Sequence, residues 1–163
     1  MTRQSRDENL IELAEVVAKR GTCSRLQVGA VFALEGRVLV TGYNGAPAGM
    51  PHCNHDCDCG YPGEGGLLFE GKHLSNCTSL TSVPCKLSQH AEKNAIAFAA
   101  RHGVALLGST LYVTDSPCYE CAMCAINAGV ERVVYSHEYR LVDGIDLLLQ
   151  GNVEVDHLDL DRI

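Results

Sequence analysis

SQHAEKNAIAFAARHGVALLGSTLYVTDSPCYECAMCAINAGVERVVYS, residues 88–136, is the stretch from which the architecture is read. Residues 88–102 read as an Ala-rich helix, 108–114 as a strand, 118–128 as a helix closed by Gly129, and 131–136 as a second strand. Downstream, 143–150 reads as a helix and 153–157 as a short strand. Upstream, residues 7–20 place Leu10, Leu13, Ala14, Val17 and Ala18 at helical spacing, with Gly21 as the stop. Two strands, 28–34 and 37–43, flank the hairpin signal Glu35-Gly36. Strands that alternate with helices predict an α/β domain with helices on a mixed sheet. No internal repeat and no second domain is visible, so residues 1–163 are expected to form a single domain. The pattern breaks down at about 44–85, a stretch of Gly, Pro, Asn and Cys with little periodicity. An unpatterned insertion that long needs something other than a core to order it, and metal is the economical choice.

Composition narrows the chemistry. Thirteen Lys and Arg stand against 20 Asp and Glu, a formal net charge of −7 with no basic run. Binding to a long phosphate backbone draws its affinity from Lys and Arg, so a nucleic-acid polymer is a poor fit as partner, whereas one small nucleotide needs only one or two cations. The first twenty residues hold no uninterrupted apolar stretch, so neither a signal peptide nor a membrane span is expected, and the cytoplasm is the expected location. Nine cysteines is a high and odd count for such a chain. In a reducing compartment, clustered Cys and His point to zinc rather than to disulfides.

Two motifs carry that chemistry. His90-Ala91-Glu92 opens one predicted helix, and Pro117-Cys118-Tyr119-Glu120-Cys121 follows a strand and opens the next. This H-x-E with P-C-x-x-C pairing is a recognised signature of zinc deaminases. Cys118 and Cys121, three apart, are expected on one helical face, with Pro117 in the first turn where its missing N–H costs little. A helix N-terminus favours thiolates. His90 is the third expected ligand, which leaves the fourth position open, as catalytic rather than structural zinc requires. Cys121 with Cys124 is a second C-x-x-C pair, ranked lower because Pro117 and the helix start belong to Cys118. Glu92 need not bind metal and is the candidate catalytic acid–base, able to pass a proton from water to a ring nitrogen and a departing amino group. A purely structural zinc module has no use for that carboxylate.

Beyond these motifs the chain resembles the deoxycytidylate deaminase family, within the wider cytidine deaminase-like fold. The resemblance lies in Cys23-Ser24-Arg25-Leu26-Gln27-Val28-Gly29-Ala30-Val31, in Gly42-Tyr43-Asn44-Gly45-Ala46-Pro47-Ala48-Gly49, in His90-Ala91-Glu92-Lys93-Asn94-Ala95-Ile96 and in Ser116-Pro117-Cys118-Tyr119-Glu120-Cys121. It implies a three-layer α/β/α fold whose central mixed sheet has about five strands, and hydrolysis of dCMP to dUMP and ammonia, supplying dUMP for thymidylate synthesis. It further implies that Asn44 bonds the sugar, Arg25 the phosphate, the Ala91 N–H the pyrimidine carbonyl and the Ser116 carbonyl the amino group. Tyr139 would offer an aromatic face. Some members carry a second, structural zinc, implying a site among Cys23, Cys53, Cys57, Cys59 and Cys85, with Cys77, His52 or His55 as further choices. A homo-oligomer is implied, and dCTP and dTTP are possible effectors. Two features depart from the family pattern: Lys86-Leu87-Ser88-Gln89 stands where bacterial members often have Arg and Thr, and the insertion is unusually rich in Gly and Cys. A modified cytosine nucleotide therefore stays open as substrate. So do a nucleoside, a free base and tRNA adenosine.

Overall fold

The computed structural model describes residues 3–23, 26–50, 68–69, 72–73, 88–139 and 142–159. Its elements run α1 (Arg6–Ala18), β1 (Gly29–Leu34), β2 (Arg37–Tyr43), β3 (Leu68–Phe69), β4 (Lys72–His73), α2 (Ala91–His102), β5 (Thr110–Asp115), α3 (Tyr119–Asn127), β6 (Arg132–His137), α4 (Asp143–Gln150) and β7 (Glu154–His157). Five strands form one sheet in the order β2-β1-β5-β6-β7. β1 runs antiparallel to β2 and to β5, whereas β5, β6 and β7 are mutually parallel. β3 and β4 form a separate antiparallel pair inside the segment read from sequence as unpatterned.

Side-chain alternation along the central strands builds two cores. Ala30 and Phe32 of β1, Leu111 and Val113 of β5, and Val133 and Tyr135 of β6 face a cluster with Ala91, Ala95, Ala122, Ala125 and Leu148 from α2, α3 and α4. Their neighbours Val31, Ala33, Tyr112 and Val134 face Leu10, Ile11 and Ala14 of α1. The molecule thus has three layers, α1 on one face of a mixed sheet and α2, α3 and α4 on the other. Among the described residues, no helix is long and apolar enough to cross a membrane.

Helix ends explain where element boundaries differ from the sequence reading. α1 begins at Arg6 because Ser5 and Glu8 form a reciprocal capping box, in which Ser5 Oγ accepts from Glu8 N at 3.1 Å and Glu8 Oε2 accepts from Ser5 N at 2.7 Å. α2 begins at Ala91 rather than at residue 88, since Gln89 is taken into a β-bridge with Gly45. α3 begins at Tyr119, so Cys118 is its N-cap and Pro117 lies outside the helix instead of in its first turn. The hairpin between β1 and β2 turns through Glu35 and Gly36, both at positive φ (52° and 78°), as a type I′ turn requires.

Two close backbone approaches set the positions of the helix starts. A Cβ at Gly42 of β2 would fall on Ala91 O and within 2.7 Å of Ala95 N, so α2 can lie directly against the strand. A Cβ at Gly144 of α4 would likewise fall on Pro117 O and within 2.8 Å of Cys118 C. Both constraints act on the N-terminal ends of α2 and α3.

α1 is tied to the sheet by charge. Asp7 accepts from Arg132 Nη1 at 3.0 Å and Nη2 at 2.9 Å, and from the Tyr112 hydroxyl at 2.7 Å. Arg132 also bonds Asp156 of β7. The Arg132 guanidinium holds the Asp7 carboxyl below its ordinary range. A carboxyl with a depressed folded pKa stabilises the protein above its unfolded value of about 4 and loses that contribution as pH falls through the folded value. Urea denaturation of Asp7→Asn at pH 7 is expected to show a loss of about 1 kcal/mol after solvent screening. The gap to the parent should narrow towards zero as pH drops below about 4.

Candidate active site

Both motifs lie where an extended segment enters a helix. His90 is the N-cap residue of α2 (φ −70°, ψ 152°) and Cys118 that of α3 (φ −71°, ψ 168°), and neither side chain caps its own helix. They turn towards each other instead. His90 Nδ1 lies 3.5 Å from Cys118 Sγ and 3.4 Å from Cys121 Sγ, and the three ligand atoms all lie within 4.8 Å of one another. Zinc bonded tetrahedrally to an imidazole nitrogen at about 2.0 Å and a thiolate at about 2.3 Å separates those atoms by about 3.6 Å. The donor set and its spacing therefore fit zinc. Cys124 is half-buried and outside this group, and the convergence involves the pair Cys118 and Cys121. Cys121 lies in the first turn of α3 and is completely buried. The unpaired amides of both helix starts favour negative charge at this point.

The electrostatics of the trio follow from sharing. Hydrogen bonds from Cys121 and His90 hold the Cys118 thiol far below its ordinary range, at about 4. Cys121 is pushed up, first by its bond to the Cys118 sulfur and then by burial. His90 is raised, chiefly by its bond to Cys118. With protons alone to balance charge, the group carries one thiolate and one thiol, and a divalent cation takes the place of those protons. Glu92, in the first turn of α2, is 3% exposed, and burial pushes its carboxyl up. It sits next to the Cys121 thiol, which bonds its charged form.

The other residues expected at the site are positioned as follows. Asn44 is buried at the end of β2, where its Oδ1 accepts from Val28 N at 2.9 Å and its Nδ2 donates to Leu26 O at 2.7 Å. One lone pair and one amide hydrogen of that side chain are thereby committed to the backbone before β1. Ala91 is the first residue of α2 and fully buried. Ser116 is buried between β5 and α3, and its Oγ accepts from Tyr139 N at 2.8 Å, fastening the segment after β6 to the site. The Tyr139 side chain is half-buried. Cys23 is buried at 8% exposure. Arg25, His52, Cys53, His55, Cys57, Cys59, Cys77 and Cys85 lie outside the described residues.

Three fastenings were not read from the sequence. Gly45 and Gln89 exchange backbone bonds at 3.1 and 2.8 Å, joining the end of β2 to the residue before His90. Asn94 Nδ2 donates to Tyr43 O at 2.8 Å. Lys93 of α2 pairs with Glu120 of α3. Asn94 stands out in retrospect, as a polar side chain on the inward flank of an otherwise Ala-rich helix.

Residues 4–137 match the family model described as the cytidine and deoxycytidylate deaminase zinc-binding region. The chain is 39% identical over 138 residues to the deoxycytidylate deaminase of Mycobacterium phage D29, covering 85% of this chain and 99% of that one. It is 36% identical over 153 residues to the deoxycytidylate deaminase of Enterobacteria phage T4, covering 80% of this chain and 77% of that one. The crystal structure of dCMP deaminase from cyanophage S-TIM5 in complex with dCMP and dUMP superposes with a TM-score of 0.73 at 32% identity, covering 97% of this chain and 100% of that one.

Metal analysis separates the two C-x-x-C pairs. Cys121→Ser is expected to carry one zinc equivalent fewer than the parent by atomic emission, and Cys124→Ser the same number. Equal zinc in the parent and Cys121→Ser would count against the first pair.

Proposed function

The chain belongs to the cytidine and deoxycytidylate deaminase family, and on that premise we propose that it hydrolyses dCMP to dUMP and ammonia. The observation that carries the proposal is the convergence of His90, Cys118 and Cys121 beside the buried carboxyl of Glu92. In this reading the imidazole and the two sulfurs hold zinc. Zinc bound there supplies Lewis acidity, lowering the pKa of water to about 7.

The remaining steps belong to the chain. Glu92 takes a proton from the water that adds to C4 of the base and delivers it to ring N3. It then carries the second proton to the exocyclic nitrogen, and the C4–N bond breaks to release ammonia. Burial raises the affinity of Glu92 for protons, which suits a group that accepts and returns them near neutral pH. The Ala91 N–H, at the start of α2, donates to the O2 carbonyl of the base, and the Ser116 carbonyl accepts from the 4-amino group. Asn44 bonds the sugar with its second lone pair or amide hydrogen. Tyr139 lends an aromatic face, and Arg25 binds the 5′-phosphate through its planar donor fork.

The same reading extends to the whole chain: one domain that associates with copies of itself and works in the cytoplasm, with dCTP and dTTP as candidate effectors. A second, structural zinc takes Cys23 with Cys53, Cys57, Cys59 and Cys85 as its candidate ligands. Support for that second site is chemical, since the Cys-rich insertion needs ordering by something other than apolar packing.

Ammonia release from dCMP, 5-methyl-dCMP, cytidine, guanine and a tRNA hairpin, measured on metal-quantified protein, tests the substrate. dCMP is expected to turn over fastest. Turnover of a polymer or a free base with dCMP inert would overturn the proposal. Glu92→Ala should keep its zinc and its fold while kcat drops roughly a thousandfold or more. Unchanged turnover in that variant would refute the assigned proton route.

A further inference from the structure

His90 stands at the start of α2, whereas Cys118 and Cys121 stand at the start of α3. The spacing of the ligand atoms therefore depends on how the two helix starts sit against each other. Ala91 and Ala95 of α2 and Ala122 and Ala125 of α3 belong to one buried apolar cluster. The backbone approaches at Gly42 and Gly144 seat each helix start separately, against β2 and against α4, and neither joins α2 to α3 directly. Among the described residues, Lys93–Glu120 is the only ion pair that joins α2 to α3.

Its placement is specific. Lys93 lies in the first turn of α2, three residues after His90, where a cation opposes the helix dipole and gains nothing from its own helix. Glu120 lies in the first turn of α3, between Cys118 and Cys121. The Lys93 side chain is 22% exposed and drawn in against the interface, while that of Glu120 is 69% exposed and reaches back to it. Each partner thus stands within three residues of a metal-ligating side chain, on the two opposing sides of the site.

We propose that Lys93 and Glu120 form a strut that braces the α2 and α3 starts directly against each other, on top of the backbone contacts that seat each of them, and so slows the loss of metal from His90, Cys118 and Cys121. Both act as positioning residues, and the role assigned to the trio rests on the proposed deaminase reading. A pair this exposed contributes little to global stability. Its effect concentrates on the one feature that needs the two helix starts in fixed relation. Removing it lets them shift by fractions of an ångström, which the apolar core tolerates and a tetrahedral ligand set does not.

The test is zinc transfer from the whole protein to a chromogenic chelator, without substrate. The kinetic phase that is absent from Cys121→Ser is followed in each variant. Lys93→Met and Glu120→Gln should release that zinc about three- to tenfold faster than the parent, with Tm changed by less than about 2 °C. Lys93→Arg should release it at close to the parent rate. The exchanged pair Lys93→Glu with Glu120→Lys should be slower than either of its single variants. Parent-like release from both neutral variants, or an exchanged pair as fast as its singles, overturns the strut. The assay contains no nucleotide, so its failure leaves the substrate panel to judge the deaminase reading separately.

Discussion

His90 and the Cys118–Cys121 pair start different helices, and neither helix alone brings them within 3.5 Å of one another. That meeting is imposed by the sheet. β2 presents Gly42 to α2 so that Ala91 can rest on the strand, and α4 presents Gly144 to the Pro117–Cys118 backbone. The Gly45–Gln89 bridge then fixes the approach to His90. The approaches at Gly42 and Gly144 are ones that a side chain would block. Two positive helix ends are thereby turned inward on a pair of sulfurs and a buried carboxyl, an arrangement that repels itself unless negative charge and a cation are both supplied. The demand for a metal is built into the architecture rather than added to it.

Burial has a different consequence for each member of the site. Cys118 is half-exposed and readily becomes a thiolate, whereas Cys121 is sealed within the α3 interface and resists. Glu92 is almost as deeply buried as Cys121, and little solvent reaches its charge. A carboxyl so placed holds a proton more readily than a surface glutamate, and that property separates a proton carrier from a spare ligand. Charge elsewhere is spent on fastening. The Asp7–Arg132–Asp156 network ties α1 to β6 and β7 on the opposite face, beside the apolar contacts of Leu10, Ile11 and Ala14.

Much of this was legible in the sequence, for identifiable reasons. The strands 28–34, 37–43, 108–114 and 131–136 carried short apolar runs, which a sheet covered on both faces favours, and each corresponds to an observed strand within two residues. The two metal motifs were legible because His, Cys and Glu at those spacings have few other uses. Helix starts were less so. The helicity expected from residue 88 was overridden by the tertiary bridge between Gln89 and Gly45, and Pro117 proved to precede the N-cap. The roles of Asn94, Lys93 and Glu120 depend on contacts between distant segments, to which local periodicity is blind. The bonds of Asn44 to Val28 and Leu26 are a structural duty that spacing alone could not reveal.

The chemistry of the site depends on the clasp of one cation by an imidazole and two sulfurs. Diffraction from crystals of the zinc-loaded protein, recorded on either side of the zinc absorption edge, addresses it without any assay of activity. The expected anomalous difference map has a peak about 2.0 Å from His90 Nδ1 and about 2.3 Å from each of Cys118 Sγ and Cys121 Sγ. A map with no peak there, or electron density that joins Cys118 to Cys121 as a disulfide, would contradict it.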